Sequence, residues 1–327
     1  MAGESSVVNV QIEVRDAIAK APNFGLPLIV GSTGNGQVGV VAYTADSDGL
    51  TQAGVDGMDA ENAVYATLAA MAAANPGIID VKVYNRSVAQ TQSLVFTPTK
   101  LTEGFTYRLT LDGTPLEYVV QAGDDAADIC TAFELLTEAV TNVTSSVSTG
   151  TIVVGPTAAG TRVSVSGVSK GWTVKDTSAD GGIVAELDAA LLEDPDFDSV
   201  FLDSTSKTEI VLAAAWCASN DRILYAHSID TEILTSATTD VASALGPTGT
   251  ANQACIIFHD LDTQSQGYAS AVASYLTYHP GTASMHMWSQ VAAGEALSLT
   301  PAQRGYAISK NVSVITTMAG VKCVINN

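Results

Sequence analysis

At 327 residues the chain is long enough for two or three domains, and 46% hydrophobic residues supply a real core. Its 14 Lys and Arg face 34 Asp and Glu, a formal net charge of −20, which weighs against proteins that neutralise phosphates or dock on an anionic membrane surface. Four cysteines (Cys130, Cys217, Cys255, Cys323) form no CxxC pair, and Met1–Ser6 has neither the basic nor the apolar region of a signal peptide; both point to a chain folded in a reducing cytoplasm.

Val7–Val14 alternates, with Val8, Val10, Ile12 and Val14 on one face and Asn9, Gln11 and Glu13 on the other. That period reads as a half-buried strand, free at a terminus to pair within its own sheet or with a neighbouring molecule. Leu26–Val30 reads as a short buried strand, Gly31–Gly36 as a loop and Val38–Thr44 as a second strand. Asp59 is placed to cap a helix over 60–75, with Val64, Leu68 and Met71 on one stripe; Asn75-Pro76-Gly77 stops it, and Ile78–Tyr84 follows as a strand. This β–α–β order predicts a sheet covered by helices.

From Ser87 to Gly182 the composition shifts to Thr, Ser, Val and Gly. Strands are expected at Leu94–Thr97, Tyr107–Leu111, Glu117–Gln121, Thr151–Val154 and Arg162–Ser166, with a hairpin turn at Asp112-Gly113. A helix over 125–140 carries Ile129, Phe133 and Leu136 on one stripe. After Ile183 the α/β rhythm returns. Helix 183–192 precedes strand Ser199–Leu202, and Ser206-Lys207-Thr208-Glu209 reads as a capping box for a helix ending at Asn220. Strand Arg222–Ala226, a helix over 231–244, strand Ala254–Phe258 and a helix over 264–278 come next. Thr300-Pro301-Ala302-Gln303 then opens another helix, with Pro in its first turn. The fold class read from this order is α/β (α+β): a core domain with a mixed sheet flanked by helices, plus an inserted β-rich α+β module. Three parts are expected: residues 1–20 as an N-terminal arm, 21–86 plus 183–327 as a discontinuous core domain, and 87–182 as an inserted outward-facing domain.

Short chemical motifs fail on context. Gly167-Val168-Ser169-Lys170-Gly171 fits the pattern of a nucleophile elbow, but a strand-like stretch follows where a helix is needed. Gly31–Gly36 lacks the Gly-Lys-Ser/Thr ending of a phosphate loop. Asp194, Asp196 and Asp198 have calcium-loop spacing, but Ser199 and Thr205 stand where Gly and Glu are required, so a solvated acidic link is the better reading. His259-Asp260 falls at the end of a strand, where α/β sites form, with no nucleophile placed beside it by sequence. No catalytic residue, cofactor or metal ligand set is assigned. A hydrolase-like enzyme using His259 and Asp260 is the runner-up reading, and a tail tube or other virion protein the third.

The last third resembles the contractile tail sheath proteins of myovirus-type bacteriophages. The residues that carry the likeness are, in order, Asp198–Leu202, Ile210–Trp216, Arg222–Ala226, Ala254–His259, Tyr268–Ala271, Pro280–Met285 and Lys310–Val312; the N-terminal arm and the helix ending at Asn75-Pro76-Gly77 also look like that family. The resemblance covers about 1–86 and 182–327. It implies a structural subunit that stacks in sixfold rings around an inner tail tube and contracts to drive the tube through the host envelope, with no nucleotide. The implied partners are other sheath subunits, the tube protein, and baseplate and tail terminator or collar proteins, with no direct nucleic acid and no membrane insertion. The implied location is the phage tail, after assembly in host cytoplasm. Val8, Val10, Ile12 and Val14 are the candidate strand-adding arm. Sheath proteins continue past the segment resembling Lys310–Val324 into a second arm. This chain ends at Asn327, leaving open a shortened chain or a different joining scheme.

Overall fold

The computed structural model describes residues 26–32, 38–58, 63–73, 80–87, 91–158, 162–246, 253–260, 296–318 and 321–325. The arm residues Val8, Val10, Ile12 and Val14, the Asp59 cap, the Asn75-Pro76-Gly77 stop and the helix expected at 264–278 lie outside them. Mixed α/β structure is what the alternating pattern predicts, and it is what forms.

The largest unit is an eight-stranded sheet. Its strands are β1 (Pro27–Gly31), β2 (Gly39–Thr44), β3 (Asp80–Asn85), β11 (Ser199–Leu202), β12 (Ile223–Ser228), β13 (Ala254–Phe258), β14 (Ser313–Met318) and β15 (Val321–Ile325). They lie in the order β15-β14-β13-β12-β11-β1-β3-β2. The six from β14 to β3 run parallel, and β15 and β2 close the two edges antiparallel. The inner strands are mostly apolar because both faces are covered, with polar residues such as Lys82, Asn85, Ser199 and His227 buried among them. Leu28, Val30, Val200, Leu202, Leu224, Ala226, Ile256 and Phe258 point to one face. Ile29, Phe201, Tyr225 and Ile257 point to the other. The first face packs on α4 (Ile183–Glu193), α5 (Lys207–Ser219), α6 (Val241–Leu245) and α7 (Pro301–Ser309). The second packs on α1 (Ser47–Val55) and α2 (Ala63–Ala72).

Helix α1 is absent from the sequence expectations because Gly49 and Gly54 weaken its pattern. Asp46 starts it by accepting from the Asp48 and Gly49 amides at 3.0 and 2.9 Å. A side chain at Gly49 would strike the Thr44 carbonyl oxygen at 1.8 Å, so the tight entry into α1 requires glycine. The expected helix over 231–244 is instead a 3₁₀ turn, Thr231–Leu234, followed by the short α6. Asp230 caps the first and Asp240 the second, and Thr235 between them is extended. Two capping aspartates ten residues apart divide what periodicity alone joins.

Between β3 and α4 the chain builds two smaller sheets. One has the order β10-β4-β8-β7, from β4 (Leu94–Pro98), β7 (Val143–Ser148), β8 (Thr151–Pro156) and β10 (Trp172–Asp176). The other has the order β6-β5-β9, from β5 (Thr106–Leu111), β6 (Thr114–Val119) and β9 (Val165–Ser166). Helix α3 (Ala126–Thr137) covers them, with Asp125 and Asp128 forming a reciprocal cap. Its Phe133 meets Trp172 edge-on at 5.1 Å, and Phe96 and Tyr107 complete the aromatic centre. Asp112 and Gly113 both have positive φ (46° and 76°), the two-residue hairpin geometry that Asp-Gly favours. Strand β6 begins at Thr114, ahead of the expected 117–121, because this turn sets its register. Strand β7 escapes the sequence reading, since its Ser and Thr residues blur the apolar period.

Candidate functional site

The carboxyl ends of β1, β3, β11, β12 and β13 converge on one rim of the large sheet. Strand order reverses there between β1 and β11, the position at which open α/β sheets form crevices. Gly31 ends β1. A side chain on it would strike Val64 at 2.5 Å and the Asp203 carboxyl carbon at 2.7 Å, so glycine lets α2 and Asp203 close over the strand. The Asp203 amide donates to the Val30 carbonyl at 3.1 Å, and the Ser32 amide donates to Asp203 Oδ2 at 3.1 Å. Arg162 reaches the same carboxylate at 3.6 Å.

Arg86 follows β3 and is buried. Its Nη1 and Nη2 donate to Glu209 Oε2 and Oε1 at 3.1 and 2.7 Å, and Asp203 stands 4.0 Å away. Burial pulls the guanidinium pKa down, but the Glu209 bonds and the carboxylates of Glu209, Asp203 and Glu186 outweigh it and hold it above its ordinary value. Glu209 also accepts from the Gly181 amide at 2.9 Å. Glu186 accepts from the Ser87 amide at 3.0 Å and its hydroxyl at 2.5 Å.

This corrects the expected capping box. Ser206 makes no side-chain cap bond to α5 and instead donates to the Ser178 carbonyl at 2.7 Å. Glu209 turns to Arg86 in a charge-assisted two-point pair, while the buried Ser206 amide donates to the Ser204 hydroxyl at 3.1 Å. The second capping box does form, with Thr300 and Gln303 at the start of α7. Neither Arg86 nor Glu209 is singled out by the sequence as a site residue. The available signal is an arginine directly after a buried strand in a chain poor in cations.

His227 is the penultimate residue of β12 and His259 follows β13, both buried. Burial, then the nearby charges of His259 and Arg162, push His227 down to about 3; burial pushes His259 down to about 4. Both imidazoles are neutral at pH 7, and bases this weak contribute little to proton abstraction there. Ser169 of the elbow-like motif lies in the turn between β9 and β10. Its amide donates to the Arg108 carbonyl and its hydroxyl accepts from the Arg108 amide, both at 3.1 Å, so the motif is a turn. Asp194 pairs with Lys82 at 2.6 Å, and the lysine also donates to the Asp196 carbonyl at 2.7 Å. The acidic link is thereby pinned to β3. Among the described residues no three His, Cys, Asp or Glu side chains gather as a metal site, and no described helix is long and apolar enough to cross a membrane. The charged groups of the rim join the start and the end of the small-sheet region to α4 and α5.

In comparisons with known proteins, no family model and no curated protein matches the chain.

Proposed function

We propose that this chain is a structural subunit of a contractile phage tail sheath. In this reading it stacks in sixfold rings around an inner tail tube and contracts to drive the tube through the host envelope. The observation that carries the reading is the sheet edge. Strand β15 is hydrogen-bonded, among the described residues, to β14 alone, and an edge strand offers a row of backbone donors and acceptors to a neighbouring chain. Support also comes from element order. Asp198–Leu202, Ile210–Trp216, Arg222–Ala226 and Ala254–His259, which carry the resemblance, fall on β11, α5, β12 and β13, consecutive parts of one sheet-and-helix layer.

The domain plan belongs to the same proposal. Residues 1–20 are the arm, 21–86 with 183–327 the sheath core, and 87–182 an inserted, outward-facing domain. The partners are other sheath subunits, the tube protein and the baseplate and terminator proteins. The reading assigns no catalytic step.

Electron microscopy of the purified chain, with particle mass from light scattering, tests it. Hollow tubes or stacked rings are expected. A uniform monomer at high concentration, or a closed small oligomer, counts against it.

A further inference from the structure

Among the described residues, the core of the small-sheet region includes one residue from outside 87–182. Ile229, 1% exposed, comes from the loop after β12 and packs with the cluster of Phe96, Tyr107, Phe133 and Trp172. Two residues later the Thr231 hydroxyl accepts from the Val174 amide at 3.0 Å and donates to the Val174 carbonyl at 3.3 Å. Strand β10 is an edge strand paired on its other side with β4. The hydroxyl thus takes the place a neighbouring strand would fill. Next, Lys175 on β10 pairs with Glu232 at 2.5 Å.

The other end of the same segment is tied to the large sheet's helices. Lys310, which caps α7, donates to the Glu232 carbonyl at 2.9 Å, the Ala237 carbonyl at 2.7 Å and the buried Asp240 carboxylate at 2.7 Å. Lys207, at the start of α5, donates to the Thr239 carbonyl at 2.7 Å. Thr239 is in turn bonded to Glu232. One twelve-residue stretch therefore holds an apolar plug, two main-chain bonds and an ion pair on one side, and a lysine-centred web on the other.

We infer that residues 229–240 form a bolt that locks the small-sheet region to the large sheet, so that the two open and move as one body. A linker at each end of 87–182 would allow that region to swing; Ile229, Thr231 and Glu232 remove that freedom, alongside the Arg162–Asp203 pair and the bond between Thr205 and Asp176. The inference does not depend on the sheath reading. If that reading also holds, the small-sheet region turns with its core when subunits rearrange.

Hydrogen exchange read by mass spectrometry on the purified full chain tests the bolt. In the unaltered protein the slowest amides of β5 and β8 open with the same equilibrium constant as those of β11 and β12. Thr231→Val with Lys175→Met removes two hydrogen bonds and an ion pair. Opening of the small-sheet amides then rises at least tenfold, with β11 and β12 unchanged. Lys175→Met alone is a milder form of the test, expected to separate the two sets by about two- to fivefold. Thr231→Ser keeps the hydroxyl and keeps the two sets together. If the two regions already open with different constants in the unaltered chain, or stay matched in both variants, the bolt is wrong.

Discussion

Arg86 and Glu209 meet across 123 residues of chain in a two-point ion pair, with side chains 1% and 0% exposed. Among the described residues, each supplies the other's two-point contact in the core. Removing one leaves a buried charge uncompensated, which costs roughly 3–5 kcal/mol. Glu209→Ala is therefore expected to lower the urea midpoint sharply. The double variant Arg86→Met, Glu209→Leu should recover most of the loss, and a double-mutant cycle reads the coupling directly. Additive losses would show that the pair is not the stabilising unit.

Acid should weaken the fold before it reaches ordinary carboxylate range. His227 and His259 have folded values of about 3 and 4 against an ordinary 6.5. Below pH 6.5 the unfolded chain takes up protons that the folded chain refuses, so stability falls as pH drops towards 4. Asp230 acts in the opposite sense. Burial first, with Glu232 and Asp240 adding to it, pushes its carboxyl up to about 6, against the Glu232 amide bond and Lys175. Its contribution is present below about pH 4 and is lost as pH rises to 6. Between pH 6 and 4 two histidines outweigh one aspartate, a net loss of about 1.4 kcal/mol per pH unit of acidification. Urea midpoints at half-unit intervals measure the slope, and His259→Phe should flatten it if the variant folds.

Gly31→Ala should destabilise the rim by about 1–3 kcal/mol, since the added methyl meets Val64 and Asp203 below contact distance. Thermal melting measures the loss. Gly54→Ala, with nothing near the added atom, serves as the control and should be neutral or stabilising.

Cys130 and Cys217 should resist alkylation in the native chain. Burial pushes their thiols up to about 11 and 12 respectively, leaving almost no thiolate at pH 8. Pulse labelling over a urea gradient should show both reacting only with unfolding. Fast labelling of either in native buffer would place it in a locally open region.

Replacing Val10 and Ile12 with aspartate should abolish tubes while leaving circular dichroism and melting unchanged, if the arm joins subunits by strand addition. Tubes formed by the double variant would move the joining strand elsewhere.

The sequence and the fold agree where one signal dominates. Strands such as Ser199–Leu202 and Ala254–Phe258 are read within a residue because unbroken apolar runs bounded by polar residues have few other uses. Reading fails where long-range partners decide. Glu209 has the right spacing for a cap, and only the arrival of Arg86 from 123 residues away makes it an ion-pair partner. Thr231–Ala244 has a helical period, yet Lys310 draws off the Glu232 and Ala237 carbonyls that a continuous helix would use. The rim of His227, Asp203 and Arg86 was no more legible, since strand order is a property of the sheet and not of any local window.

Ser87 leaves the large sheet beside Glu186, and Gly181 returns beside Glu209, the partner of Arg86. The excursion of nearly a hundred residues thus begins and ends at one small patch of the layer below. Entry and exit therefore share one anchorage, so a change at Glu209 reaches both ends of that excursion at once.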